Sequence, residues 1–210
     1  VSLDDLQSYK DAIKAYDEVI RLDPNDTNAW NSKGVDLSLM KKYNESLQIF
    51  EKITDFNAND TTAWVNKAAI LLDLNRSDEA LVASEKALEL EPQLAEAWNK
   101  KGNVLNDQGK FDEAIATYNE AIRLDRNNTE AMINKGNALV ESGKFEEAIK
   151  AYDDAIRIDP NYAVAWNNKG HVLDDHGKYD ESIKAYNAAI HLDPHYPNAW
   201  INKGNAHYNQ

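Results

Sequence analysis

The residues with the most to offer chemically are asparagines, and they recur. Asn66, Asn134, Asn168 and Asn202 share one position of a 34-residue period, with Ser32 and Lys100 completing the column. Three residues further on stand Asn103, Asn137 and Asn205, with His171 in the same column; one residue before the first column stand Asn31, Asn99 and Asn167. A carboxamide carries both a donor and an acceptor, so one Asn can pair with the C=O and the N–H of a peptide together. Spacings of three and four residues bring the first two columns onto one helix face. Such columns would hold an extended chain by its backbone, with little demand on its side chains.

Catalytic constellations are hard to find. The Gly-Lys pairs at 109–110, 143–144 and 177–178 are followed by Phe or Tyr, whereas a phosphate loop needs Ser or Thr after the Lys and an earlier Gly at fixed spacing. They read as inter-helix turns. His171, Asp174, Asp175 and His176 form the dense cluster of metal-ligand types, but a zinc site wants three or four convergent ligands, and solvated groove residues are the simpler reading. There is no Cys, which excludes disulfides, thiolate metal sites and a Cys nucleophile. The expectation is a non-enzymatic chain with no cofactor and no metal. The formal charge of −13 disfavours nucleic acid and anionic membrane, and favours neutral or basic partners. No stretch approaches the apolar length of a membrane span, and the sequence from Val1 does not read as a signal peptide. Asn-x-Ser/Thr sequons at Asn25, Asn44, Asn59, Asn75 and Asn127 would suit a secreted glycoprotein. Asn-rich turns followed by capping Thr27, Thr61 and Thr129 account for them more simply, so a cytoplasmic setting is favoured over an extracellular one.

The elements that carry these columns follow from the same period. Trp30, Trp64, Trp98, Met132, Trp166 and Trp200 are evenly spaced, and a fixed period of this size signals a repeat array. Trp98-Asn-Lys-Lys-Gly102 returns as Met132-Ile-Asn-Lys-Gly136, Trp166-Asn-Asn-Lys-Gly170 and Trp200-Ile-Asn-Lys-Gly204. Ala12-Ile-Lys-Ala-Tyr16 returns at 114–118, 148–152 and 182–186. Lys10 to Leu22 reads as a second helix, with Ala12, Ile13, Tyr16, Val19 and Ile20 on one face, and Leu3 and Leu6 as the stub of a first. Asp23-Pro24 ends it, because a residue before Pro leaves the helical region. Thr27 is the expected N-cap of a helix running to about Met40, partnered by 44–56. Gly109, Gly143 and Gly177 suit left-handed turns between helices, with Asp112 and Asp180 as the next N-caps. Trp98, Gly102 and Leu105 should face Ala114, Ile115, Tyr118, Ala121 and Ile122, placing the Trp and Tyr columns in the core.

This pattern resembles the tetratricopeptide repeat family, in regular Asn-rich arrays of the kind found in archaeal and cyanobacterial members. In 163–196 the family places hold Trp166, Lys169, Gly170, Leu173, Ser182, Tyr186, Ala189 and Pro194. The family's Leu is Lys throughout: Lys33, Lys67, Lys101, Lys135, Lys169 and Lys203. The resemblance implies an all-α, right-handed superhelical solenoid of antiparallel helix pairs. Its expected divisions are a partial repeat at 1–26, repeats at 27–60, 61–94, 95–128, 129–162 and 163–196, and a first helix alone at 197–210. The chain thus opens and closes inside repeats, as a piece of a longer protein would. Repeat 61–94 diverges most, with Ala68 for the packing Gly and Ser77 and Ser84 for aromatics, and should be the softest joint.

In this family the first helices line the concave face. The resemblance therefore implies a peptide-binding surface of Asn66, Asn99, Asn103, Asn134, Asn137, Asn167, Asn168, His171, Asn202 and Asn205, similar to the asparagine ladder with which a protein-modifying glycosyltransferase of the family holds its substrates. Repeat duplication alone would also copy these residues. The family's carboxylate clamp is matched by Asn99, Asn103 and Asn137, but Val164 and Asn168 stand where basic groups belong. Asp73, Asp107, Glu141 and Asp175 edge the groove, with Glu96 and Glu130 nearby. The expected partner is a neutral to basic extended protein segment. Two alternatives stand beside this scaffold role: head-to-tail self-assembly, with Trp200 meeting Ala12 and Tyr16 of another copy, and the substrate-docking arm of a larger enzyme.

Overall fold

The computed structural model describes residues 3–210; Val1 and Ser2, with which the sequence reading begins, lie outside the described residues. The fold is all-helical. Among the described residues there are 12 helices: α1 Leu3–Leu22, α2 Thr27–Leu39, α3 Tyr43–Phe56, α4 Thr61–Asp73, α5 Ser77–Leu90, α6 Ala95–Asp107, α7 Phe111–Leu124, α8 Thr129–Glu141, α9 Phe145–Ile158, α10 Ala163–Asp175, α11 Tyr179–Leu192 and α12 Pro197–Asn209. They form two compact units, Val1–Gln108 and Gly109–Gln210. Within each, consecutive helices pack together. In the first, Trp30, Phe50, Ile53, Ile70 and Leu71 form the centre of the core; in the second, Met132, Leu139, Tyr152, Ala155 and Val172 do.

Three local expectations need correction. Residues 3–22 are one continuous helix, not a stub and a second helix. No Gly or Pro interrupts that stretch, so nothing stops helix propagation through Ser8-Tyr9. The N-caps fall one residue early: Asp26, Asp60 and Asn128 accept from the amides of Ala29, Ala63 and Ala131 at 2.9 Å, and Thr27, Thr61 and Thr129 are the first helical residues. Asp and Asn rank above Thr at this position, which settles the competition between neighbours. Asp112 and Asp180 are likewise inside the first turns of α7 and α11, whose caps are Lys110 and Lys178. Acidic side chains there complement the helix dipole.

The turns between helices behave as the glycines suggest. Gly143 and Gly177 have φ of 74° and 69°. The amides of Lys144 and Lys178 reach back to the carbonyls of Leu139 and Leu173 at 2.8 and 2.9 Å, closing the helix end. Lys41 and Asn75 hold the same left-handed place without being glycine, at φ 60° and 56°.

The packing rule of a repeat is a ring on a glycine. A Cβ built on Gly34 would lie 2.6 Å from the Phe50 ring; one on Gly136, 2.4 Å from Tyr152; one on Gly170, 2.7 Å from Tyr186. Only a missing side chain admits the ring. In 61–94 both partners change at once: Ala68 and Ser84 stand in the glycine and ring columns, and both are fully buried. The loss of the ring is therefore matched by a methyl where Gly stood, and any softness of this joint rests on lost ring area alone.

The tryptophans do a different job from the one expected of a core column. Each indole N–H donates to the carbonyl six residues before it: Trp30 to Pro24, Trp64 to Ala58, Trp98 to Pro92, Trp166 to Pro160 and Trp200 to Pro194, at 2.9–3.1 Å. They fasten the inter-repeat turn. Trp30 is buried, but Trp64, Trp98 and Trp166 are only half-buried and Trp200 is 51% exposed. The recurring Lys also gains a partner. Lys33, Lys101 and Lys169 bond Asp17, Glu85 and Asp153 of the preceding helix at 2.5, 3.0 and 2.6 Å. Their aliphatic stems stay covered while the ammonium meets a carboxylate at the rim.

Candidate functional site

Packing the first helices side by side turns the asparagine columns into hydrogen-bonded chains. In the second unit, the Tyr152 hydroxyl donates to Asn137 Oδ1 at 2.8 Å, and Asn168 Nδ2 donates to the same oxygen at 3.1 Å. Asn167 Nδ2 donates to Asn168 Oδ1 at 3.3 Å, and Asn202 Nδ2 donates to Asn167 Oδ1 at 3.1 Å. The amides of α8, α10 and α12 are thus linked in one direction. Asn167, Asn168 and Asn202 each use one Nδ2 hydrogen within the chain, and the half-buried Asn168 and Asn202 keep a second to offer.

A cleft of about 220 Å³ lies between α8 and α10, lined by Asn137, Val140, Glu141, Tyr152, Asn167, Asn168, His171 and Val172. Burial, and then the Glu141 charge, hold the Tyr152 hydroxyl well above its ordinary pKa, so it stays a neutral donor. The first unit repeats this cleft at the same register. Between α2 and α4, about 120 Å³ is lined by Val35, Ser38, Leu39, Phe50, Asn66, Ala69, Ile70 and Asp73. Asn66 corresponds to Asn168, Phe50 to Tyr152 and Ala69 to His171, three periods apart. Both clefts mix apolar and polar walls, and in the first unit Val35 and Leu39 are 38% and 45% exposed. Partial burial raises the Asp73 carboxyl above the usual carboxylate range, with Lys100 pulling the other way.

The sequence-derived site residues do not all occupy this surface. Asn137, Asn168 and His171 meet in the cleft between α8 and α10, and Asn66 lines the one between α2 and α4. Asn99 and Asn167 are buried, at 2% and 6% exposure, behind the surface. Asn103, Asn134 and Asn202 are half-buried, and Asn205 is exposed on α12. Tyr152, Phe50, Val35, Val140 and Leu39 line these clefts as well and are not among the residues expected from the sequence. The signal for them was the register itself, since each lies a fixed offset from an Asn already singled out. Among the described residues, no three His, Cys, Asp or Glu side chains converge as metal ligands, and no helix is long and apolar enough to cross a membrane.

Known proteins place the fold. No curated protein matches the chain. Among solved structures it is similar to YrrB, described as a TPR protein with an unusual peptide-binding site, at 21% identity over 91% of this chain and 99% of that one, with a TM-score of 0.63. It is also similar to TTC0263, a thermophilic TPR protein of Thermus thermophilus, at 17% identity over 83% and 95% of the two chains, TM-score 0.72. Against the APC/C hetero-tetramer Cut9-Hcn1 the TM-score is 0.83 at 17% identity, over 95% of this chain but 40% of that one. At these identities the likeness is one of fold. The pattern of the anaphase-promoting complex, cyclosome, subunit 3 family matches residues 5–87. The tetratricopeptide repeat pattern matches 65–129, 99–163, 133–197 and 167–210, most of the chain, and with the ring-on-glycine pairs repeating at its period the chain belongs to the tetratricopeptide repeat family.

Proposed function

We propose that this protein-interaction scaffold binds an extended segment of another protein along its first helices, without catalysis. The observation that carries the reading is the recurrence of one cleft in both units, each with an Asn of the same column in its wall. In the second unit the linked amides present N–H groups already oriented by their neighbours, suited to peptide carbonyls. Pre-ordering spares part of the entropy that an extended ligand loses on docking. The neighbour YrrB is itself described as having a peptide-binding site, which supports the class of ligand and not its identity. The formal charge of −13 directs the choice toward neutral or basic segments.

The test is a display selection of random twelve-residue peptides on the chain, followed by affinity measurement with Asn66→Ala and Asn168→Ala. Both variants should keep the helical circular dichroism of the parent. Each should weaken the selected peptides about tenfold, the loss of one or two hydrogen bonds of about 1 kcal/mol each. Peptides that bind both variants as tightly as the parent would move the site elsewhere and leave the Asn columns as duplicated scaffold.

Two outer faces favour a second reading, head-to-tail self-association. A Cβ on Gly204 meets nothing within 4 Å, whereas its counterparts Gly136 and Gly170 lie under Tyr152 and Tyr186. Trp200 and Ile201 beside it are 51% and 60% exposed. On α1, Tyr16 occupies the ring column but is only half-buried, and Val19 is 39% exposed where Ile53 and Ala155 are 0%. Tyr16 of one copy fits Gly204 of another by the rule that seats Phe50 on Gly34, Tyr152 on Gly136 and Tyr186 on Gly170. Light scattering should show mass growing above 23.7 kDa with concentration, and Tyr16→Glu should abolish the growth. A constant mass up to millimolar concentration would dispose of this reading.

A further inference from the structure

Leu39 breaks a rule that its column otherwise keeps. At the same place in the following repeats stand Asp73, Asp107, Glu141 and Asp175, then Asn209. Val35, one turn earlier on α2, departs in the same way: its column continues as Ala69, Asn103, Asn137, His171 and Asn205. The two side chains are 45% and 38% exposed. A lone exposed aliphatic residue needs no explanation. These two stand four residues apart, so they share one face of α2, and both line the cleft of about 120 Å³ against α4. The helix they face is in place, so their exposure belongs to the cleft itself.

Four wall positions differ from those of the cleft between α8 and α10, three periods on. Val35 stands for Asn137, Leu39 for Glu141, Phe50 for Tyr152 and Ala69 for His171. Each exchange removes polar atoms. Asn66 and Ile70 keep the character of their counterparts Asn168 and Val172. Phe50 and Ile70, 0% and 3% exposed, supply a fixed apolar base. Asp73 lines the same cleft and is exposed, so its carboxylate disfavours an acidic segment beside it. A cavity of about 150 Å³ takes a benzene molecule. The smaller cleft here has room for the branched carbons of one aliphatic side chain and not for an indole.

We propose that the cleft between α2 and α4 seats one leucine side chain of the extended segment bound along the first helices, with Asn66 at the neighbouring peptide group and a basic residue beside Asp73. This rests on the groove reading above and adds the identity of one ligand residue and the place where it docks.

The experiment is an amide NMR titration of the whole chain with a blocked heptapeptide, Ser-Thr-Ser-Leu-Lys-Ser-Thr. Three further peptides carry alanine or tryptophan in place of the leucine, or glutamate in place of the lysine. The leucine peptide should give saturable shifts at 35–39 and 66–73. It should bind at least tenfold tighter than the alanine and tryptophan forms, the value of burying the extra carbons. The glutamate form should bind more weakly, and Asp73→Asn should remove that difference. Val35→Asn installs the residue found at 137, and Leu39→Glu the residue found at 141. Each should keep the melting temperature of the parent and cancel the preference for leucine over alanine. Equal binding of the leucine and alanine peptides, with saturable shifts along the first helices, would overturn the leucine seat and leave the groove intact. Absence of shifts with every peptide would overturn both. A lower melting temperature in both variants would show that Val35 and Leu39 serve the fold and would also overturn the proposal.

Discussion

Gly136→Ala destabilises the second unit by about 2 kcal/mol, while Gly204→Ala, the same change in the same column, stabilises the chain. The new methyl at 136 would lie 2.4 Å from Tyr152 Cε1, 2.8 Å from Cζ and 2.9 Å from Cδ1. The ring is 2% exposed and cannot swing away into solvent. Overpacking of this kind costs about 3 kcal/mol, against about 1 kcal/mol gained from the better helix propensity of Ala. At Gly204 no atom lies within 4 Å of the added Cβ, so the propensity gain stands alone. The chain already contains the answer to the clash, in Ala68 with Ser84. Tyr152→Ser alone should cost about 4 kcal/mol, in the range for losing a buried aromatic. Together with Gly136→Ala it should cost about 3 kcal/mol, not the sum of about 6, a coupling at the upper end for residues in contact. Denaturant unfolding of the four species gives the cycle; additivity within about 0.5 kcal/mol would mean that the ring and the glycine are not a matched pair.

The second large effect is alkaline. Tyr118, Tyr152 and Tyr186 are 1%, 2% and 0% exposed, and burial raises each of their pKa values well above the ordinary 10. Neighbouring acids push the same way: Glu130 on Tyr118, Glu141 on Tyr152, and Asp174 with Asp175 on Tyr186. The folded state therefore keeps protons that the unfolded state releases above pH 10. Their contribution is fully present below the unfolded pKa and is lost as pH rises toward the folded values. Each tyrosine contributes about 1.4 kcal/mol per pH unit in that window, so together they remove about 4 kcal/mol per unit. Unfolding titrations from pH 9 to 12 should show a steep fall beginning near 10. Tyr186→Phe should flatten it by about a third without loss at neutral pH, because its hydroxyl has no partner to lose. A stability that is flat to pH 12 would contradict the burial of these hydroxyls in the folded state.

The parts of this molecule that depend on spacing were legible in the sequence. The period located the helices, the turn glycines and the ring column, because each is a property of residues within one period. The N-caps were misplaced by one because Asp-Thr offers two good capping residues in succession and only the backbone decides between them. The paired Lys33–Asp17, Lys101–Glu85 and Lys169–Asp153 contacts were out of reach, since they join helices whose distance no local pattern states. The candidate site shows the same division. The columns of Asn66, Asn137 and Asn168 could be read directly, but their bonding could not: Asn168 meets Asn137, and Asn202 meets Asn167, across helices. That Asn99 and Asn167 turn inward depends on where the neighbouring helix lies, and the walls supplied by Phe50 and Tyr152 come from the second helices.

The most direct test of the central claim, recognition of a peptide by its backbone, is a paired scan of one selected peptide. Each position is changed in turn to alanine and, separately, to its N-methyl form, which removes the backbone N–H. N-methylation at several positions should weaken binding tenfold or more, while alanine substitution should matter at few. Loss of binding on alanine substitution at most positions, with N-methylation silent, would show that the groove reads side chains and would contradict the role given to the asparagines.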